Sequence, residues 1–119
     1  MIHKVTNANF SASIDITADV VSVVLLFDPY GECGSVHQQA LADLEAAFLY
    51  YQQYSLPSVL FFKGDVADRT MVETDIKNVQ CAPSFYFYVG DGVGYAEYYR
   101  NNGILSVEQI QYYIEQKRG

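Results

Sequence analysis

The stretch Cys81–Gly92, CAPSFYFYVGDG, decides how this chain reads. From Ser84 to Val89 the residues alternate, with Phe85 and Phe87 on one face and Tyr86 and Tyr88 on the other, which is the period of a β-strand. Large side chains on both faces predict a strand covered on both. Gly90-Asp91-Gly92 then has the composition of a hairpin turn. It returns the chain along Val93–Arg100, VGYAEYYR, expected to be the partner strand and an edge of the sheet. Asn101-Asn102-Gly103 closes that strand. Ser106 and Gln109 have the spacing of a capping box, which predicts a last helix from about Val107 to Lys117.

Toward the N-terminus, Asp19–Phe27 (DVVSVVLLF) is β-branched and lacks polar alternation, the pattern of a strand buried on both faces. Ser58–Phe62 (SVLFF) reads the same way. Between them Val36, Ala40, Leu41, Leu44, Ala47, Phe48 and Tyr51 recur at helical spacing, predicting a long amphipathic helix that Pro57 forbids from continuing. Gly64–Asn78 holds a turn and a short helix, with Met71, Val72 and Ile76 as its inner face. At the start, Ile2–Val5 is expected to form a short edge strand. Ala8–Asp15 is expected to form a short helix, with Phe10, Ile14 and Ile16 buried. The order β-α-β-α-β-α-β-β-α predicts one α/β domain over residues 1–119, with a mixed central sheet of four to five strands and helices on both faces.

Composition narrows the function. Half of the 119 residues are apolar, enough for a packed core. The formal charge is −7, and the seven basic residues are scattered along the chain. Nucleic acid and anionic membrane are therefore disfavoured as partners. No segment is long and apolar enough to insert in a bilayer. The start MIHKVTNANF has no hydrophobic signal region, so the expected location is the cytoplasm or another reducing compartment, an organelle or larger assembly staying open. The two cysteines, Cys33 and Cys81, and the two histidines, His3 and His37, are far apart, so no metal site and no cofactor is expected. Gly90–Gly94 follows a strand but opens another strand, so it lacks the geometry of a phosphate cradle.

Three segments together resemble the thioredoxin family, and the likeness spans nearly the whole chain. Cys81-Ala82-Pro83-Ser84-Phe85 is similar to the family's cis-proline strand. Val59–Asp68 (VLFFKGDVAD) is similar to its third strand and following turn. Val23–Val36 (VVLLFDPYGECGSV) is similar to the strand and loop that carry Trp-Cys-Gly-Pro-Cys. The resemblance implies a thioredoxin-like fold, a cis bond before Pro83, and a groove for extended peptide beside that proline. It also implies two thiols at the start of the long helix, one attacking a substrate disulfide and one resolving the mixed disulfide. Here the pattern departs. A gapless alignment sets Glu32-Cys33-Gly34-Ser35 over the Cys-Gly-Pro-Cys motif, and a shift of one residue sets Cys33-Gly34-Ser35-Val36 there. Neither yields a pair. Leu26 stands where the family carries a buried acid, although the lysine that faces that acid has its counterpart in Lys63. The chain contains no tryptophan.

These losses lead to a redox-inactive protein-interaction module, a small subunit or adaptor of a larger assembly. It is expected to bind protein partners through Ala82 and Pro83, or through Tyr95, Tyr98 and Tyr99 on the edge strand. Tyrosine suits interfaces because it joins a large apolar area to one polar tip. On this reading alanine at Tyr98 and Tyr99 weakens partner capture and leaves the melting temperature nearly unchanged. The alternative is a monothiol disulfide oxidoreductase with Cys33 as nucleophile, favoured by a helix N-terminus and opposed by the charge of Glu32. A chaperone-like peptide binder would share the Pro83 groove. A Cys33–Cys81 disulfide would have to meet a narrow geometric window, and Cys81 reads as an ordinary half-buried thiol.

Overall fold

The computed structural model describes residues 2–6, 9–28, 34–54, 58–65 and 83–119. Their elements are β1 (Ile2–Lys4), α1 (Phe10–Ser13), β2 (Val21–Phe27), α2 (Gly34–Gln53), β3 (Val59–Asp65), β4 (Ser84–Gly90), β5 (Tyr95–Asn102) and α3 (Val107–Glu115). The short helix expected around Met71–Ile76 lies outside the described residues.

Five strands form one sheet in the order β1-β3-β2-β4-β5. β1 and β2 run parallel to β3, while β4 is antiparallel to both β2 and β5. β1 and β5 are thus the two edges, as the sequence suggested. β2 is central, and all seven of its residues are buried, which explains its unbroken apolar run.

The sheet separates two apolar layers. Val21, Val23, Leu25, Phe61, Phe85 and Phe87 pack with Leu44 and Tyr51 of α2 and with Ile110 and Ile114 of α3. On the other face Val24, Leu26, Phe62, Tyr86 and Tyr88 pack with Val5 and Ile14. The alternation of phenylalanine and tyrosine along β4 therefore divides between two cores. At about 1.5–3 kcal/mol for burying a large apolar side chain, these layers supply the main driving force of the fold.

The boundaries follow local chemistry. At the start of α3 the Ser106 hydroxyl accepts from the Gln109 N–H at 3.2 Å, and the Gln109 side chain accepts from the Ser106 N–H at 2.9 Å. In the β4–β5 turn one oxygen of Asp91 accepts from the N–H groups of Val93 and Gly94, which holds that carboxyl below the usual carboxylate range.

Three expectations are corrected. α1 is a single turn, and Ile16 beyond it is 46% exposed. The Asp15 carboxylate accepts from the Thr17 N–H and turns the chain there, so only Ile14 of that pair reaches the core. α3 ends at Glu115, two residues short of Lys117. In the first turn of α2 the buried residue is His37, while Val36 is half-buried.

Candidate functional site where β2, α2 and the Pro83 turn meet

The carboxyl end of β2 opens the site. Phe27 is its last residue, and the Asp28 N–H that follows donates to Nδ1 of His37 at 3.0 Å. His37 is fully buried and continues the seam Ala40, Leu44, Ala47 and Tyr51 along α2. The bond ties the chain leaving β2 to the first turn of the helix, and it requires an unprotonated Nδ1. Periodicity had pointed to Val36. The usable signal was the strict alternation of three and four residues along His37, Ala40, Leu44, Ala47 and Tyr51, which Val36, four residues before Ala40, does not keep.

The second wall comes from β4. Leu26 pairs with Ser84 and Ser84 with Asn102, so Pro83 leads into the end of β4 that lies between the end of β2 and the end of β5. Pro83 is buried, and its carbonyl accepts from the Gly103 N–H at 2.7 Å. Gly103 has φ +122°, in the region that favours glycine. The Ser84 hydroxyl donates to Oδ1 of Asn102 at 2.9 Å, and the Asn101 side-chain amide donates to the Gly103 carbonyl at 3.1 Å. The Asn-Asn-Gly run is thus a polar buttress under Pro83. Ala82 and Cys33 lie outside the described residues, as does the peptide bond before Pro83 whose cis form the resemblance implies. Cys81, and with it the pairing to Cys33, lies outside them too.

The acid–lysine pair of the resemblance is not formed. Leu26 is 4% exposed and packs in the layer with Val24 and Phe62. Lys63 pairs with Leu25, and Gly64 with Leu26, which turns the lysine to the opposite face of the sheet. There Lys63 lines a cavity of about 290 Å³ with Lys4, Phe27 and Asp65. Among the described residues no group of three His, Cys, Asp or Glu side chains is placed to hold a metal ion, and no helix is long and apolar enough to cross a membrane.

The edge-strand tyrosines divide between the faces. A β-bulge between Phe87 and Tyr88 sets both Tyr98 and Tyr99 opposite Phe87, where the pleat alone would send them to opposite sides. Their rings stand 6.2 and 5.9 Å from that of Phe87. The Tyr98 hydroxyl donates to the Tyr113 carbonyl at 2.7 Å, and burial pushes the Tyr98 phenol above its ordinary range. Tyr95 is on the other face, edge-on to Tyr88 at 5.5 Å. Tyr98 and Tyr99 therefore help close the core against α3, and the expectation that removing them leaves the melting temperature unchanged does not fit this packing.

No protein-family model matches the sequence, and no curated protein does. Solved structures do. Chloroplastic thioredoxin z matches with a TM-score of 0.68 and 18% identity, over 97% of this chain and 92% of that one. Thioredoxin from Fasciola hepatica matches at 0.63 and 21%, over 98% and 100%. Thioredoxin f2, in its complex with ferredoxin:thioredoxin reductase, matches at 0.68 and 13%, over 99% and 96%. The chain is a thioredoxin-fold α/β protein. At these identities the likeness speaks for the fold alone, and the chemistry has to be argued from this chain's own residues.

Proposed function

We propose that this protein is a protein-interaction module on a thioredoxin fold, a small subunit or adaptor that works without dithiol chemistry. The carrying observation is the cysteine inventory: Cys33 and Cys81 are the chain's two thiols and form no Cys-x-x-Cys pair. A dithiol enzyme needs one thiol to attack and a near neighbour to resolve. The buried Leu26, in place of a proton-transferring acid, supports the same reading. The proposed contact surface is the corner built on Ala82 and Pro83, extended by the backbone edge of β5 and Tyr95. An extended partner segment can add its backbone at such places without thiol chemistry. Thioredoxin f2 offers a precedent for this fold docking onto another protein. The reading places the protein in a reducing compartment such as the cytoplasm, with no cofactor, nucleic acid or membrane.

Dithiothreitol-driven insulin reduction tests it. Wild type should give no rate above the dithiothreitol background. Turnover that vanishes in Cys33→Ser would replace the adaptor with a monothiol oxidoreductase. That second reading rests on the sequence: a single thiol, Cys33, falls at the nucleophile's place in one alignment to the family motif, and a helix N-terminus there would favour a thiolate. Cross-linking mass spectrometry of the co-purified protein tests the surface. Contacts should fall at Pro83 and along β5, and contacts confined to Leu49–Tyr54 would move the site to the outer end of α2.

A further inference from the structure

Three tyrosines run in ring contact from the surface into the seam between α3 and β5. Tyr112 is 62% exposed. Its ring meets that of Tyr113 edge-on, with centroids 5.2 Å apart and planes at 77°. Tyr113 lies flat on Tyr99 of β5, with centroids 3.7 Å apart and planes within 12°. Aromatic pairs prefer offset or edge-to-face arrangements with centroids about 4.5–7 Å apart. The next closest ring pair described in this protein, Tyr50–Tyr54, stands at 4.9 Å and 58°. The face-to-face stack is fixed from both sides. Tyr99 is set opposite Phe87 by the bulge, and the Tyr113 carbonyl receives the Tyr98 hydroxyl. The two phenols also interact: hydrogen bonding to Tyr113 is the leading cause that raises the pKa of Tyr99.

We propose that Tyr99 and Tyr113 form a dityrosine cross-linking site, with Tyr112 as the point where the oxidising equivalent enters. The co-reactant is a one-electron oxidant of the high-valent metal-complex class. Each phenol gives one electron to the oxidant and one proton to solvent, leaving two phenoxyl radicals. These couple through a carbon–carbon bond between ring positions ortho to the oxygens. The hydrogen on each coupled carbon then moves to its phenolic oxygen, which restores both aromatic rings. The protein loses two electrons and two protons, and two equivalents of oxidant are each reduced by one electron. The stack holds the rings face to face at van der Waals separation, so coupling needs side-chain adjustment only, and that proximity favours this pair over others. The bond would tie the edge strand to the last helix covalently. This inference stands independently of the proposed adaptor role.

The test exposes the folded protein to limiting photogenerated ruthenium(III) polypyridyl oxidant. Products are read by dityrosine fluorescence and by tandem mass spectrometry of proteolytic peptides. The expected product is intramolecular, lighter by two hydrogen atoms, and joins the peptides carrying Tyr99 and Tyr113. Tyr113→Phe should abolish it, Tyr112→Phe should slow it several-fold, and Tyr50→Phe should leave it unchanged. Phenylalanine keeps the ring, and an unchanged near-UV circular dichroism spectrum would verify the fold; the wild-type map needs no variant. A cross-link at Tyr50–Tyr54, whose rings are 41% and 57% exposed, or between chains, with the Tyr99 and Tyr113 peptides unlinked, overturns the site. Full-rate coupling in Tyr112→Phe overturns the entry role.

Discussion

Nδ1 of His37, fully buried in the first turn of α2, accepts the Asp28 N–H at 3.0 Å. The bond joins the end of the central strand to the start of the longest helix, at the corner where the proposed binding site begins. His37→Phe keeps the bulk and removes the acceptor. Leaving a part-buried N–H without that partner should cost about 1–3 kcal/mol. The urea midpoint should fall and hydrogen exchange at the Asp28 amide should accelerate. An unchanged midpoint with unchanged exchange would show that the bond contributes nothing.

Tyr98 separates packing from binding. Tyr98→Phe loses only the hydroxyl bond to the Tyr113 carbonyl and should cost about 1 kcal/mol. Tyr98→Ala also loses the ring packed near Phe87 and should cost about 2–3 kcal/mol, below the full-burial figure because the residue is half-exposed. Thermal unfolding of the two variants checks the order. Equal melting temperatures for Tyr98→Ala and wild type would mean the ring is an exposed interface residue after all.

Gly90 and Gly92 border the same turn and should respond differently. A Cβ on Gly90 would meet the Thr17 carbonyl oxygen and come within 2.6 Å of the Ile16 carbonyl carbon, both backbone atoms that cannot swing aside. Hydrogen bonds from the Asp19 N–H to the Gly90 carbonyl and from the Gly90 N–H to the Val20 carbonyl hold that approach in place. Gly90→Ala should cost about 3 kcal/mol. Gly92 has φ +93° but open space around it, so Gly92→Ala should cost about 1–2 kcal/mol from backbone conformation alone. Chemical denaturation that ranks Gly92→Ala as the more damaging change would refute the close approach.

The pH dependence of stability should carry the mark of the α2–α3 contact. The Arg118 guanidinium, bonded at 2.7 Å, holds Glu115 below its ordinary value of 4.5, and the Tyr51 hydroxyl adds a bond at 2.9 Å. A carboxylate depressed in the folded state stabilises fully above its unfolded value, and that stability is lost as pH falls through the folded one. Both partners are partly exposed, so solvent screening keeps the effect below about 1 kcal/mol. Glu115→Gln should therefore lower stability at pH 7 and converge with wild type only as pH falls below 4.5 and through the lowered folded value. At the alkaline end the sign reverses. Tyr51, Tyr88 and Tyr98 are raised above 10, chiefly by burial, so their share of stability is lost as pH climbs past 10. A Glu115→Gln curve that stays parallel to wild type as pH falls from 7 to well below 4.5 would remove Glu115 from the account.

Much of the fold was legible because its elements are coded locally. The apolar run of β2, the phenylalanine–tyrosine alternation of β4, the Gly90–Gly94 turn and the Ser106–Gln109 capping box each follow from residues near in sequence, and each stands where expected. Pairing was decided only by the tertiary structure. A one-residue bulge opposite Phe87 turned Tyr98 and Tyr99 to the same face, which no alternation rule foresees. Register set Lys63 beside Leu25 and away from Leu26. His37 became the buried residue of its turn because the Asp28 N–H was brought to it by the end of β2, nine residues earlier. The cysteine inventory lies the other way: it is a property of the sequence alone, and no packing of this chain can supply the missing second thiol of a Cys-x-x-Cys pair. Local propensities and composition are carried by neighbours along the chain, whereas side-chain partners depend on strand registers that only the packed sheet defines.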